Sequence, residues 1–97
     1  MALTRILTQT RPNTGVAFHN ASDEFKAFMQ EWVDAGTLVH NGGSNDESGL
    51  IRTWSLTFPN ETIFTSFNSD AIHQTYTQHR REYNIQNNIT EEGETTT

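Results

Sequence analysis

The strongest constraint in this sequence is a single apolar stripe at helical spacing. The stripe recurs at i, i+3, i+4, i+7 and i+8 and consists of Phe25, Phe28, Met29, Trp32 and Val33. Ser22 is a suitable N-cap before the stripe, and Gly36 is placed to end the helix after it. The segment therefore predicts an amphipathic helix, which needs an apolar surface to cover its stripe.

Two segments alternate with the period of a β-strand. Residues 3–10 mix leucine and isoleucine with threonine and end at the turn signal of residues 11–13. Residues 50–58 alternate so that one face carries most of the apolar mass, namely Leu50, Arg52, Trp54, Leu56 and Phe58. Both segments predict strands, and we expect the helix stripe to pack on the face of Trp54, Leu56 and Phe58 or on its opposite.

Local signals predict three further elements. Residues 38–40 begin a strand, after which the polar, glycine-rich residues 41–49 indicate a loop or a mobile hairpin end. Pro59 and Asn60 form a turn, and the β-branched and aromatic residues 62–67 predict a return strand antiparallel to residues 50–58. Asp70 caps a second helix, whose half-buried stripe is Ile72, Tyr76, His79 and Tyr83.

The C-terminal residues carry weaker signals. Ile85 and Ile89 either pair in a short terminal strand or pack singly. Residues 91–97 have nothing to bury, which predicts a disordered tail or an arm that only a neighbour orders. We therefore expect a single α+β domain at residues 1–90, followed by an acidic, threonine-rich tail at residues 91–97.

This order of elements predicts an α+β fold with a ferredoxin-like antiparallel sheet and two helices packed on one face. The apolar supply is low, because 33% of the residues are hydrophobic and adding the six glycines still leaves less than the usual share of about 45 to 50%. The chain has no cysteine, so no disulfide compensates. A partner chain, most simply a second copy, is therefore expected to cover the sheet face that the helices leave bare.

The charge balance restricts the classes of partner. Twelve acidic and six basic residues give a net charge of −6, which repels phosphate backbones and anionic lipids. The N-terminal segment has no apolar run of the kind found in a signal peptide, and no other segment approaches a membrane span. We expect no nucleic-acid or membrane partner, and a chain that is cytoplasmic when synthesised, with a virion as a further location.

The sequence contains no recognisable motif for a metal, a cofactor or a catalytic group. His73 and His79 are six residues apart on the second helix, which turns them about 240° away from each other. Residues 45–47 lack the ligand order of a calcium loop, and residues 42–44 lack the glycine pattern of a phosphate loop. Catalytic, cofactor-binding and metal residues are therefore all predicted to be none.

Two clusters of side chains invite a binding interpretation. Arg80 and Arg81 lie between two tyrosines, as in proteins that stack on single-stranded nucleic acid, but the acidic balance favours i,i+4 pairing or a salt bridge to an acidic neighbour. Trp54 shares its strand face with Arg52, and both residue types are enriched at protein interfaces. We therefore predict a protein interface formed by Arg52, Trp54, Leu56 and Phe58.

The element order and the run RTWSLTFPNETIFTSFNSD at residues 52–70 resemble the dimeric α+β barrel group that includes antibiotic-biosynthesis monooxygenases. The resemblance covers residues 3–85 and implies a barrel whose enzymatic members work with aromatic, Asn and His groups in the interior. The opening TRILTQTRPNT, with its Thr- and Asn-rich context, resembles small phage proteins of virion-structural role. These two resemblances imply different functions.

The absence of a site constellation favours a non-enzymatic structural or assembly protein that forms homo-oligomeric or particle contacts, for example as a phage virion component. Its expected partners are further copies of itself and other assembly proteins. The alternative is a dimeric α+β barrel monooxygenase-like enzyme or a small-ligand-binding protein. A polar-lined pocket would favour this alternative, and a flat, fully packed contact within a larger particle would favour the assembly role.

Overall fold

The computed structural model describes residues Met1–Thr97 as an open four-stranded antiparallel sheet with three helices. The elements follow in the order β1 (Leu3–Thr10), α1 (Asp23–Asp34), β2 (Val39–Asn45), β3 (Ile51–Phe58), α2 (Glu61–Ser69), α3 (Ala71–Gln86) and β4 (Thr90–Thr96). The sheet order is β2-β3-β1-β4. The α+β class is confirmed, whereas the predicted number of two helices is wrong. None of the helices combines the length and apolarity that a membrane crossing requires.

Helix α1 forms as its stripe predicts. The Ser22 hydroxyl accepts a hydrogen bond from the Phe25 backbone N–H at 3.2 Å and so caps the first turn. Phe25 and Phe28 are buried against the sheet and its covering helices, in a core of seven residues: Leu3, Phe25, Phe28, Leu38, Leu56, Phe58 and Phe67. The helix stripe therefore packs on the face of β3 that carries Leu56 and Phe58.

Strand β2 extends further than its sequence predicts. Residues 41–45 continue the strand beside β3, although their composition indicates a loop. A bulge between His40 and Gly43 makes this continuation possible, because Gly42 has a φ of +85° that side chains rarely adopt. The prediction of a loop is therefore wrong for residues 41–45, and the turn that closes the hairpin lies between Asn45 and Ile51.

The predicted return strand at residues 62–67 is also wrong, because these residues belong to α2. The Asn60 side chain accepts a hydrogen bond from the Ile63 N–H at 2.9 Å and starts the helix. Ile63 and Phe67 are then one turn apart and both face the core. The cap and this spacing outweigh the preference of threonine and phenylalanine for strands, and the hairpin partner of β3 is β2.

The C-terminal half of the fold consists of α3 and β4. Asp70 caps α3 through a 2.9 Å hydrogen bond from the Ile72 N–H, which confirms the second helix start. Residues 90–96 pair with β1 over residues 4–10 of the same chain, so the expectation of a disordered tail at residues 91–97 is wrong. Ile89 is buried beside this strand and Ile85 is exposed, so only one of the two isoleucines packs.

Candidate small-molecule cavity

The four residues of the predicted interface lie together on the helix-covered face of β3. Leu56 and Phe58 are 4% and 1% exposed and belong to the core, so the chain's own helices already cover them. Arg52 and Trp54 are only half-buried. Trp54 pairs with Leu7 of β1 and with Gly43 of β2, which places it in the middle of the sheet. The accessible part of the predicted interface is therefore a concave floor.

Two cavities open above this floor, between the sheet and the helices. One, of about 600 Å³, is bounded by the inner faces of β1 and β3 and by α2 and α3. The other, of about 390 Å³, is bounded by β1, β2, β3, α1 and α3, and we name it the Trp54 cavity. The two cavities share Trp54, Leu56 and His73. The helices therefore leave the centre of the sheet without complete cover.

Aromatic and aliphatic side chains form one part of the walls of the Trp54 cavity, and polar and charged residues form the rest. Phe25 of α1 and Tyr76 of α3 are stacked with their ring centres 3.8 Å apart and their planes 9° apart. Met29 and Val33 continue the wall along α1, opposite the Trp54 indole on the floor. This side of the cavity therefore offers aromatic surface to a planar molecule.

Two histidines at the cavity have a buried nitrogen without a hydrogen-bond partner. Nδ1 of His73 and Nδ1 of His19 are both in this state. Burial lowers the pKa of His73, and the nearby positive charge of Arg80 lowers it further. Burial and Arg80 lower the pKa of His19 in the same way. At neutral pH both rings are therefore uncharged, and neither adds a positive charge to the cavity.

A buried polar network lies next to the Trp54 cavity. The Glu91 carboxylate of β4 accepts hydrogen bonds from Arg80 Nε at 3.0 Å, from Asn84 Nδ2 at 3.0 Å and from Gln9 Nε2 at 3.4 Å. Gln9 is 2% exposed and also lines the cavity. Arg80 thus makes a salt bridge to an acidic residue, as the excess of acidic over basic residues in the sequence favours. Arg81 is exposed, and its Nε lies 3.8 Å from the same carboxylate.

Sequence reasoning missed Glu91 and His73 as functional neighbours. Glu91 meets Arg80 only because β4 returns alongside β1, and no local pattern marks that pairing. His73 lies beside the helix stripe between Ile72 and Tyr76, and its position under both cavities depends on how α3 crosses the sheet. An alternating reading of residues 89–95 would have placed Ile89 and Glu91 on one face.

The residues weighed as metal or calcium ligands have other roles. No three His, Cys, Asp or Glu side chains converge anywhere in the chain. Asp46 instead closes the β2–β3 turn by accepting hydrogen bonds from the Ser48 hydroxyl and the Ile51 N–H, and the Ser48 hydrogen bond lowers the pKa of this carboxyl. His79 is exposed on α3, whereas His73 is half-buried.

Comparison with known proteins gives no family for this chain. No protein-family model matches it, and no curated protein or solved structure matches it at a significant level. What the Trp54 cavity binds must therefore be inferred from its own side chains.

Proposed function

We propose that this chain binds a small, largely apolar molecule in the Trp54 cavity. The observation that carries the proposal is the half-buried Trp54 in the centre of the sheet, on the floor of a cavity of about 390 Å³. Ligand pockets in proteins measure about 300 to 1,000 Å³ and combine apolar walls with a few converging polar groups. The low apolar content supports this reading, because a chain that leaves its centre unfilled needs fewer core residues.

The proposed architecture is ferredoxin-like. Its support is the order β2-β3-β1-β4, in which β1 and β2 flank β3 while β3 and β4 flank β1. Helix α2 is then an addition before the second main helix, α3. An oxygenase-like activity, which the resemblance to dimeric α+β barrels implies, would use the same cavity. We propose binding alone, because no side chain in the cavity is hydrogen-bonded as a nucleophile to a base.

Filling part of the cavity is expected to weaken binding without unfolding the chain. Ala21 lines the cavity and packs against the core, so the larger side chain of Ala21→Leu would occupy ligand space. In a Trp32→Phe background, Trp54 is the only indole, and neutral naphthamide is expected to change its fluorescence saturably. Ala21→Leu should weaken this binding by at least about tenfold, which corresponds to about 1.4 kcal/mol.

Ala27→Leu is the matched control, because Ala27 is exposed on the helix that follows Ala21. It adds the same atoms outside the cavity and should leave naphthamide binding unchanged. Circular dichroism shows whether each variant retains its helices. Equal affinities of naphthamide for the two folded variants would contradict the proposal.

A second candidate function is assembly through the helix-free face of the sheet. This face carries Ile6, Val39 and Ile51 among threonines and serines, and Val39 is 58% exposed. Edge strands β2 and β4 also have one unpaired side each. We propose a second copy as the partner, in keeping with the expectation of a homo-oligomer, with a virion as one setting for such contacts.

Self-association through this face should be sensitive to one charge. Ile6→Lys is expected to convert a dimer seen by light scattering into a monomer, because the lysine would be desolvated in the contact. Ile85→Lys is the control, since Ile85 is 78% exposed on α3, away from this face. A parent chain that is monomeric at all accessible concentrations would remove the assembly candidate and leave the binding proposal intact.

A further inference from the structure

The charges around the Trp54 cavity are distributed unlike those of the chain as a whole. The chain has twelve acidic residues and a net charge of −6. The cavity lining nevertheless contains no aspartate and no glutamate, while it includes Arg52 and Lys26. A ligand with a positive group would find no counter-ion here, whereas an anionic group would find two.

Arg52 is the cation best placed for such a role. It is half-buried on β3, and its guanidinium has no hydrogen bond or ion pair within the chain. Every other arginine has at least one polar partner, as seen for Arg5, Arg11, Arg80 and Arg81. A guanidinium carries five donors in a planar fork that matches a carboxylate. An unpaired guanidinium at a cavity is therefore a candidate anion-binding site.

A second guanidinium lies beside the same phenylalanine ring as that of Arg52, just outside the residues that line the cavity. The Arg52 guanidinium carbon lies 5.7 Å from the centre of the Phe18 ring, and that of Arg11 lies 4.7 Å from the same centre. Arg11 is held in place by hydrogen bonds to the carbonyl oxygens of Gly49 and Val16. Neither arginine has a carboxylate within ion-pair distance. Two positive charges without a carboxylate partner beside one ring favour an anion near Arg52.

The remainder of the cavity selects for an aromatic body. Trp54, Arg52 and the stacked pair Phe25 and Tyr76 line the same half-open cavity. Resting on the proposed function, we infer that the ligand is a planar aromatic anion, with its rings against Trp54 and its carboxylate or equivalent group on Arg52. Lys26 is exposed at the rim and adds a second positive charge.

Three naphthalene derivatives of nearly equal size and different charge test this inference. In the Trp32→Phe background, we expect naphthoate to bind at least about tenfold more tightly than the neutral naphthamide. The cation naphthylmethylammonium should bind more weakly than both. The advantage of naphthoate should decrease as salt is added, because the charged end of the cavity is open to solvent.

Arg52→Gln should remove the preference for naphthoate, because it weakens naphthoate binding far more than naphthamide binding. Arg52→Lys keeps the charge without the planar fork and should retain part of the preference. Arg81→Gln is the matched control, because Arg81 is exposed and lines only the other cavity, so the preference should remain.

The outcomes separate the two proposals. Equal binding of naphthoate and naphthamide to the parent, or a preference that survives in Arg52→Gln, would overturn the anion inference and leave the binding function standing. The absence of saturable binding by any of the three probes would overturn the proposed function and the inference with it.

Discussion

Replacing Glu91 with Gln is expected to lower the free energy of unfolding by about 3 kcal/mol, because it leaves a buried guanidinium without a counter-ion. The Arg80 side chain is 8% exposed and Glu91 18%, so water replaces little of the lost interaction. The same substitution weakens the hydrogen bonds that Glu91 accepts from Asn84 and Gln9. Urea denaturation followed by circular dichroism measures the change.

Glu92→Gln and Glu94→Gln are the matched controls, since both residues are exposed on the same strand and neither forms an ion pair. Each should change the free energy of unfolding by no more than about 0.5 kcal/mol. Adding Arg80→Met to Glu91→Gln should recover much of the loss, because the unpaired charge is then gone. If all three glutamate variants unfolded alike, β4 would not be held by this carboxylate.

The other large effect is expected at Phe67, the buried residue of α2. Phe67 is 1% exposed and its ring centre lies 5.5, 5.2 and 5.2 Å from those of Phe28, Trp32 and Phe58. Phe67→Ala should therefore cost about 3 to 5 kcal/mol of stability, from lost burial and from the space left behind.

Phe64 provides the comparison, because it lies on the same helix and is only half-buried. Phe64→Ala should cost clearly less than Phe67→Ala in the same denaturation experiment. A larger cost at Phe64 than at Phe67 would contradict the packing of α2.

The parts of the fold that periodicity predicts are those with one long, consistent pattern. Helix α1 has five apolar residues on one face and a serine cap, and β3 alternates without a break, so a single reading fits each. Helix α2 has nine residues rich in threonine and phenylalanine, which suit a strand equally well. Its identity is decided by the Asn60 cap and by the burial of Phe67, and burial depends on the remainder of the chain.

The full extents of strands β2 and β4 could not be predicted for a related reason. Neither has an apolar face, because β2 contains two glycines and β4 three glutamates. Each is an edge strand held by backbone pairing to its neighbour, and such pairing leaves almost no trace in the side chains. The acidic residues of β4 are also typical of exposed sheet edges, where charge discourages pairing with other chains.

The candidate site was predictable only in part. The association of Arg52 with Trp54 on one strand face is visible in the alternation of β3 and indicates a binding surface. Whether that surface faces a protein partner or a small molecule depends on how completely the helices cover it. The gap above Trp54 is a property of the packed structure, because it results from the spacing between α1, α3 and the sheet.

The most direct test of binding in the Trp54 cavity is a crystal structure of the chain grown with bromonaphthoate, in which anomalous scattering locates the bromine. We expect one ligand between Trp54 and the stacked rings of Phe25 and Tyr76, with its carboxylate on the Arg52 guanidinium. Bromine located only on the helix-free face of the sheet, or a cavity filled by repacked side chains, would contradict this expectation.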